Sequence, residues 1–401
     1  MDDRQRIVWV SHFPIFGGPH NLALRLAGPL RDHGVETLFV LPDEPGSAAE
    51  RLRDGGVEVE QIKLRRLRAR LDPRLQWSTL AGFRGDVARL ARLLEAHRAD
   101  AVLLTGLANP HAALAARKAG VPVIWQIADS RTPMPVRVTE MALVRRLADT
   151  VMFNGQALAD SHLRGRPLRQ ESFLFAGVVD TDSFRPDSRQ RTETRRRLGI
   201  PEDAFLAGTV ANLNPQKGVE YFIRAAILIC ASRPDSWFLI AGAGYETHRD
   251  YRELLDREIR MAGPAAGRFI VTEAQRPQEI YPALDAKLIT SVPRSEGTTT
   301  TAIEAMACGV PVVATDVGAL SEVVEDGVTG FIVSPLSPKA IAAATVRIGC
   351  DGGFRSSAAA AAREKAVRLY SAAVSSEVYL QALAAARRRS QAVSGRADSH
   401  G

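Results

Sequence analysis

Residues 286–315 read "AKLITSVPRSEGTTTTAIEAMACGVPVVAT". The apolar run Ala286 to Val292 predicts a buried parallel strand, and "PRSEG" the loop leaving its carboxyl end. The threonine run then enters a helix, which Gly309 ends as a C-terminal cap, and "VPVVAT" resumes the sheet. Ligands of open parallel sheets bind outside the carboxyl ends of the strands, which is where this loop lies. A helix start adds unpaired N–H groups and a positive dipole end, a site suited to phosphate. Gly297 lets backbone approach an anion closely, and Thr298 to Thr301 can cap the helix and offer hydroxyls. Glu304 falls about six residues into the helix, roughly 9 Å along its axis, while Glu296 stays in the loop. A carboxylate does not bind phosphate but accepts hydrogen bonds from hydroxyls. Two carboxylates around a phosphate site therefore fit a pyrophosphate with sugars on both sides. The plainer reading of the same residues is two solvated glutamates and a threonine-capped helix.

Working outward, the chain repeats strand and helix. "RIVWVSHF", the turn "PIFGGP", the amphipathic "HNLALRLAGPLRDHG" and "VETLFVL" have the spacing of a parallel crossover unit. "DAVLLTG", a helix near His111 to Ala119, "VPVIWQIAD" and "DTVMFNG" continue it. Turn residues in "FAGVVDTDSFRPD" break the rhythm and place a domain junction near residues 176–188. A second series follows: "AFLAGTVANL", "SWFLIAGAG", "GRFIVTEA", "AKLITSV", "VPVVAT" and "GFIVSP". Alternation of this kind implies an α/β fold with helices on both sheet faces. Two α/β halves joined by a short linker would leave a cleft, a common place for ligands. Beyond Ser357 the chain is rich in Ala and Arg with helical spacing, and "RRRSQAVSGRADSHG" is expected to be disordered.

The 401 residues suffice for two or three domains, and 46% apolar residues supply their cores. The net charge of +7, carried by arginine far more than lysine, suits an anionic small molecule, a membrane surface or nucleic acid alike. No zinc-ligand spacing, RNA-binding aromatic signature or helix-turn-helix pattern supports nucleic acid. Cys230, Cys308 and Cys350 read as reduced core thiols of a cytosolic protein. The start "MDDRQRIVWVSHF" is unlike a signal peptide, and no apolar run approaches the ~18 residues of a spanning helix. In "KLRRLRARLDPRL", Leu64, Leu67 and Leu71 at helical spacing with five flanking cations could rest on anionic lipid or guide an anionic acceptor; a solvated loop with packed leucines explains them as well.

The stretch "SEGTTTTAIEAMACGVPVVATDVGALSEVVEDGVTGFIV" resembles the signature of the family 4 retaining glycosyltransferases, which have the GT-B fold. The likeness extends back through "NLNPQKGVEYFIRA", "FLIAGAG" and "GVVDTDSFRP". It covers the second half strongly and the first half more loosely. The resemblance implies two Rossmann-like domains. An acceptor-side domain would span 1–178 and a nucleotide-sugar domain 179–370, with 371–401 as a return helix, packed on the first domain, and a tail. It also implies that Glu296 contacts hydroxyls of the donor sugar, that Glu304 holds the ribose, and that Gly297, Thr298 and Thr299 bind the diphosphate. Lys217 in "NLNPQKG" would stabilise the leaving diphosphate, whose charge grows as the glycosidic bond breaks. Five residues earlier the family usually has arginine, and this chain has Asn212; a neighbour such as Arg294 could substitute. Gly17 and Gly18 of "PIFGGP" would lie over the donor phosphates, and His20 and Asn21 either face the acceptor or cap the helix. Many relatives place a histidine before the aspartate of "VIWQIADSRTP", where this chain has Ala128. Gln126, Asp129, Ser130 and Arg131 are then the polar candidates for sugar or acceptor contacts.

The expected function is retaining transfer of a sugar from a nucleoside diphosphate donor, UDP before GDP, to a hydroxyl of a polysaccharide, glycolipid or small metabolite. No cofactor and no metal are expected, since Lys217 and a helix end supply the positive charge. The expected location is cytoplasmic, with peripheral contact to an anionic membrane as one option. A non-catalytic nucleotide-sugar or glycan binder is the alternative, prompted by Ala128 and Asn212. A glycoside hydrolase would need two carboxylates flanking one bond, and "AGAGYE" lacks the full dinucleotide fingerprint.

Overall fold

The structure is a computed structural model that describes residues 4–65, 73–106, 110–128, 134–242, 249–273, 276–296 and 300–398. The chain divides into two units, Met1–Val178 with Ala372–Gly401, and Val179–Ser371.

The first unit is built on seven parallel strands: β1 (Gln5–Val10), β2 (Val35–Pro42), β3 (Glu58–Ile62), β4 (Ala101–Thr105), β5 (Val123–Ile127), β6 (Thr150–Phe153) and β7 (Glu171–Leu174). Their order in the sheet is β3-β2-β1-β4-β5-β6-β7. Alternate residues of each strand feed opposite layers. Val8, Val102, Leu104 and Trp125 enter one core cluster, while Ile7, Trp9, Leu103 and Ile124 enter the other. A parallel sheet covered on both faces needs such continuous apolar strands. The edge strands β3, "EVEQI", and β7, "ESFL", lack that signature; three of the four residues of β7 are exposed.

The helix Ala372–Asp398 belongs to this unit. Tyr379, Ala382, Leu383 and Ala386 recur at the spacing of one helical face and are all buried in the Trp9 layer. Full burial of a side chain such as Leu383 stabilises by about 2 kcal/mol. The disordered tail expected from Arg387 is corrected here, because the helix runs on to Asp398. Ala-rich sequence favours it, and its arginines find partners: Arg388 lies 3.2 Å from Glu171, and Arg389 donates to the Arg169 carbonyl at 3.0 Å.

The second unit has six parallel strands: β8 (Leu206–Val210), β9 (Trp237–Ala241), β10 (Phe269–Thr272), β11 (Ala286–Ile289), β12 (Val312–Thr315) and β13 (Gly330–Val333). Their order is β10-β9-β8-β11-β12-β13. Asp285, just before β11, accepts from Arg191, Arg195 and the Leu206 N–H, which fixes β11 against β8. The strand expected to reach Val292 ends at Ile289. From there Thr290 Oγ1 donates to the Lys217 carbonyl and Val292 N–H to the Gln216 carbonyl, so the chain bonds to a loop instead of a strand.

In each sheet the strand order reverses once, between β1 and β4 and between β8 and β11. Loops diverge at such a point and open a crevice at the carboxyl ends of the strands. Cys230 and Cys308 are buried, whereas Cys350, expected in the core, is exposed at the end of its helix. Among the described residues, no helix is long and apolar enough to cross a membrane. The centre of the basic leucine stretch, residues 66–72, lies outside the described residues.

Candidate functional site

The loops after β8 and β11 leave neighbouring strands at the reversal point of the second unit. After β8 the chain passes exposed Asn212 and enters a short 3-10 turn, Pro215–Lys217. Asn214 caps that turn by accepting the Gln216 N–H at 3.0 Å. Gly218 follows with φ +56°, and a Cβ there would sit 2.3 Å from the Thr290 carbonyl oxygen. Only glycine allows both that left-handed backbone and that approach. Gly218 therefore seats Lys217 directly against the end of β11.

Lys217 Nζ donates to Glu296 Oε1 at 2.7 Å. The Ser291 hydroxyl donates to the same oxygen. Glu296 is only 7% exposed, so its carboxylate depends on these partners for the hydrogen bonds that water would otherwise give. Gly318, at φ +62°, packs over the loop; a Cβ on it would lie 2.6 Å from the Glu296 carbonyl oxygen. Thr315 Oγ1 donates to the Ser291 carbonyl at 2.7 Å, tying the end of β12 to the same loop. Arg294 stands exposed in a left-handed turn at φ +63°.

The helix Thr300–Ala307 carries Glu304. Glu304 is 4% exposed, and its carboxylate accepts from the Tyr281 hydroxyl at 2.9 Å. Val310 N–H returns to the Ala305 carbonyl and Gly309, at φ +69°, ends the helix, a left-handed cap at the glycine expected from sequence. Gly297, Thr298 and Thr299, expected at the diphosphate, lie outside the described residues, as do Asp129, Ser130 and Arg131.

Sequence reasoning missed Lys287, in the middle of β11. It is 1% exposed, and its Nζ donates to Thr209 Oγ1 at 3.3 Å and to the Val210 carbonyl at 3.2 Å, at the end of β8. Burial pushes its ammonium down to about 7, with Lys217 pushing the same way and Glu304 and Glu296 opposing. A lysine in a central strand was the available signal, since lysine is almost never fully buried without a partner.

In the first unit, the loop after β1 leads to the helix Gly18–Asp32. Gly17 is its N-cap, and its carbonyl accepts from the N–H groups of His20 and Asn21. Gly18 is exposed and Asn21 half-buried. His20 is fully buried, with Nδ1 accepting from the Gly17 N–H and Nε2 facing the Phe13 carbonyl, both at 3.0 Å. Because a backbone N–H can only donate, Nδ1 carries no proton and Nε2 donates. Burial lowers its pKa to about 4. Of the two roles expected for His20, the geometry gives it capping. Gln126 is also fully buried; its amide donates to Asn154 at 2.9 Å and its carbonyl accepts from Tyr379 at 3.0 Å. An amide engaged at both ends inside the sheet layer is a structural tie, which corrects its expected place among sugar contacts.

Two family models match the chain. The one described as Glycosyl transferases group 1 covers residues 190–365, and the Glycosyl transferase 4-like domain covers residues 17–172. Among curated relatives, the lipopolysaccharide core biosynthesis mannosyltransferase LpsB of Rhizobium meliloti is 35% identical over 201 residues, 50% of this chain and 54% of its own length. A D-inositol 3-phosphate glycosyltransferase of Thermobifida fusca is 32% identical over 243 residues, 56% of this chain and 55% of its own. The chain thus spans about half the length of the curated relatives it matches. Among solved structures, Anabaena Alr3699/HepE in complex with UDP superposes with a TM-score of 0.81 at 21% identity, covering 95% of this chain and 100% of that one. At that identity the likeness speaks for the fold, which is GT-B: two Rossmann-like parallel-sheet units. Residues 190–365 thus match a glycosyl transferases group 1 domain and residues 17–172 a glycosyl transferase 4-like domain, the domain pair of a glycosyltransferase.

Proposed function

We propose that this protein is a retaining glycosyltransferase, moving a sugar from a nucleoside diphosphate donor to an acceptor hydroxyl. The observation that carries the reading is the ion pair of half-buried Lys217 with buried Glu296 at the β8–β11 reversal point, with Glu304 on the next helix. Lys217 would meet charge developing on a departing diphosphate, where preorganised cations contribute most to rate. Glu296 would accept hydroxyls of the transferred sugar and Glu304 those of the ribose, with the amides after Glu296 on the diphosphate. In this reading Asn212 lies near the donor.

The acceptor would attack from the face the diphosphate leaves, with the departing phosphate oxygen taking the acceptor's proton. That keeps the anomeric configuration without an enzyme nucleophile. The charge on the leaving group is met by Lys217 and helix amides, so no metal enters the reading. UDP is the favoured nucleotide, with GDP second; the UDP bound by the Anabaena neighbour supports that order. The acceptor class is a hydroxyl of a polysaccharide, glycolipid or small metabolite. The test is release of UDP or GDP from a panel of sugar nucleotides with mixed acceptors, and the anomeric configuration of the product by NMR. Turnover with retention that falls on Glu296→Gln supports the reading. Donor binding without turnover on any acceptor makes the protein a binder instead, and an inverted product removes the retaining mechanism.

A further inference from the structure

Lys287 has no part in the transfer chemistry above, yet it lies inside the group of charges on which that chemistry rests. Its hydrogen-bond partners, Thr209 Oγ1 and the Val210 carbonyl, are both uncharged. The charged groups that act on it come from three other segments. Lys217 stands in the turn after β8, Glu296 in the loop after β11, and Glu304 on the helix Thr300–Ala307. Lys217 is already paired with Glu296, and Glu304 is held by Tyr281. From the remaining neighbours, β12 (Val312–Thr315) carries no titratable side chain. The helix Pro338–Cys350 turns Ile341, Ala342, Thr345 and Ile348 inward, and none of these titrates.

With a neutral amine at Lys287, Lys217, Glu296 and Glu304 together carry one net negative charge, which opposes an incoming diphosphate. With an ammonium there, the same four residues sum to zero. An arriving anion therefore favours the charged form of Lys287. We propose that Lys287 is a positioning residue of the donor site, taking up one proton as a nucleoside diphosphate binds and thereby cancelling the net negative charge of the group that holds Lys217. The proton comes from a buffer acid and forms an N–H bond on the lone pair of Nζ; no other bond changes. This inference rests on the reading that the diphosphate sits at Lys217. The lowered proton affinity of Lys287, about 7, leaves it largely uncharged just above neutrality, so that uptake is measurable there.

The sign follows from linkage: ligand affinity falls with rising pH wherever the bound protein holds more protons than the free protein. UDP binding should weaken by close to tenfold per pH unit from about pH 7.5 upward. Calorimetry with UDP in two buffers of different ionisation enthalpy should show uptake approaching one proton. Two variants test the assignment, each checked for native circular dichroism. Lys287→Met cannot take up the proton, and Lys287→Arg holds its charge throughout. Both should abolish the buffer-dependent heat and flatten the pH dependence, with Lys287→Arg keeping the tighter UDP binding of the two. Equal proton uptake in wild type and both variants overturns the proposal, as does wild-type UDP binding with no uptake; in either case the donor reading stands. A wild-type protein that binds neither UDP nor GDP overturns both.

Discussion

Lys217 Nζ lies 2.7 Å from Glu296 Oε1, and the two residues arrive on loops that leave β8 and β11, neighbours in the sheet. The turn that carries the lysine is held by bonds to Thr290 and Val292 from the very segment that leads to the glutamate. The pair is thus set by backbone, which is what preorganised electrostatic catalysis requires. Lys217→Met is expected to lower kcat for sugar transfer by about 100-fold or more, with a smaller effect on donor KM. Steady-state UDP release checks it, and an unchanged kcat would remove Lys217 from the reaction.

Tyr281 holds the Glu304 carboxylate at 2.9 Å and is itself fully buried. If Glu304 grips the ribose, Tyr281→Phe should raise the donor KM by roughly fivefold while kcat changes little, the effect of one hydrogen bond of about 1 kcal/mol. Equal falls in kcat and stability with unchanged KM would assign Tyr281 to packing alone.

His20 braces the loop after β1 as a neutral ring with a pKa lowered to about 4 from an ordinary 6.5. The unfolded chain binds a proton at higher pH than the folded one, so stability is full above about pH 6.5 and is lost as pH falls toward 4. The loss should reach about 3 kcal/mol at most. Denaturant titrations at pH 7 and pH 4.5 of wild type and His20→Asn measure it. A wild type whose stability falls no more than the variant's would contradict this origin.

Lys287 follows the same sign in a higher pH window: the unfolded lysine keeps its proton to about 10.5, whereas the folded one loses it near 7. The folded state is therefore penalised below pH 7, and stability rises with pH between 7 and 10.5. Lys287→Met should stabilise the ligand-free protein at pH 6, by up to about 5 kcal/mol, with the gain shrinking toward pH 10. Chemical denaturation at both pH values reads the difference, and an equal effect at both would contradict it.

The interior strands were legible because burial on two faces forces long apolar runs such as "DAVLLTG" and "VPVIWQIAD". The edge strands β3 and β7 were not, because an edge tolerates the charges of "EVEQI" and "ESFL". Glu296 and Glu304 could be read together since one strand, loop and helix carries both. Tyr281 and Ser291 could not, because their roles depend on side chains meeting across different segments. Gln126 and His20 looked like contact residues for the same reason: a polar side chain in a strand or at a helix start reads alike whether it faces a ligand or a buried partner. Asn154 and Tyr379, which occupy Gln126, lie 28 and 253 residues away along the chain. The return helix was legible in its alanines but not in its length, because Asp100, Glu171 and the Arg169 carbonyl, which receive its arginines, are remote in sequence.

The most direct measurement is a crystal structure of the protein with UDP bound. A phosphate oxygen should lie within hydrogen-bonding distance of Lys217 Nζ, with ribose hydroxyls on the Glu304 carboxylate. A diphosphate seated away from Lys217, with Glu296 still closed on the lysine and Glu304 touching only protein, would contradict it.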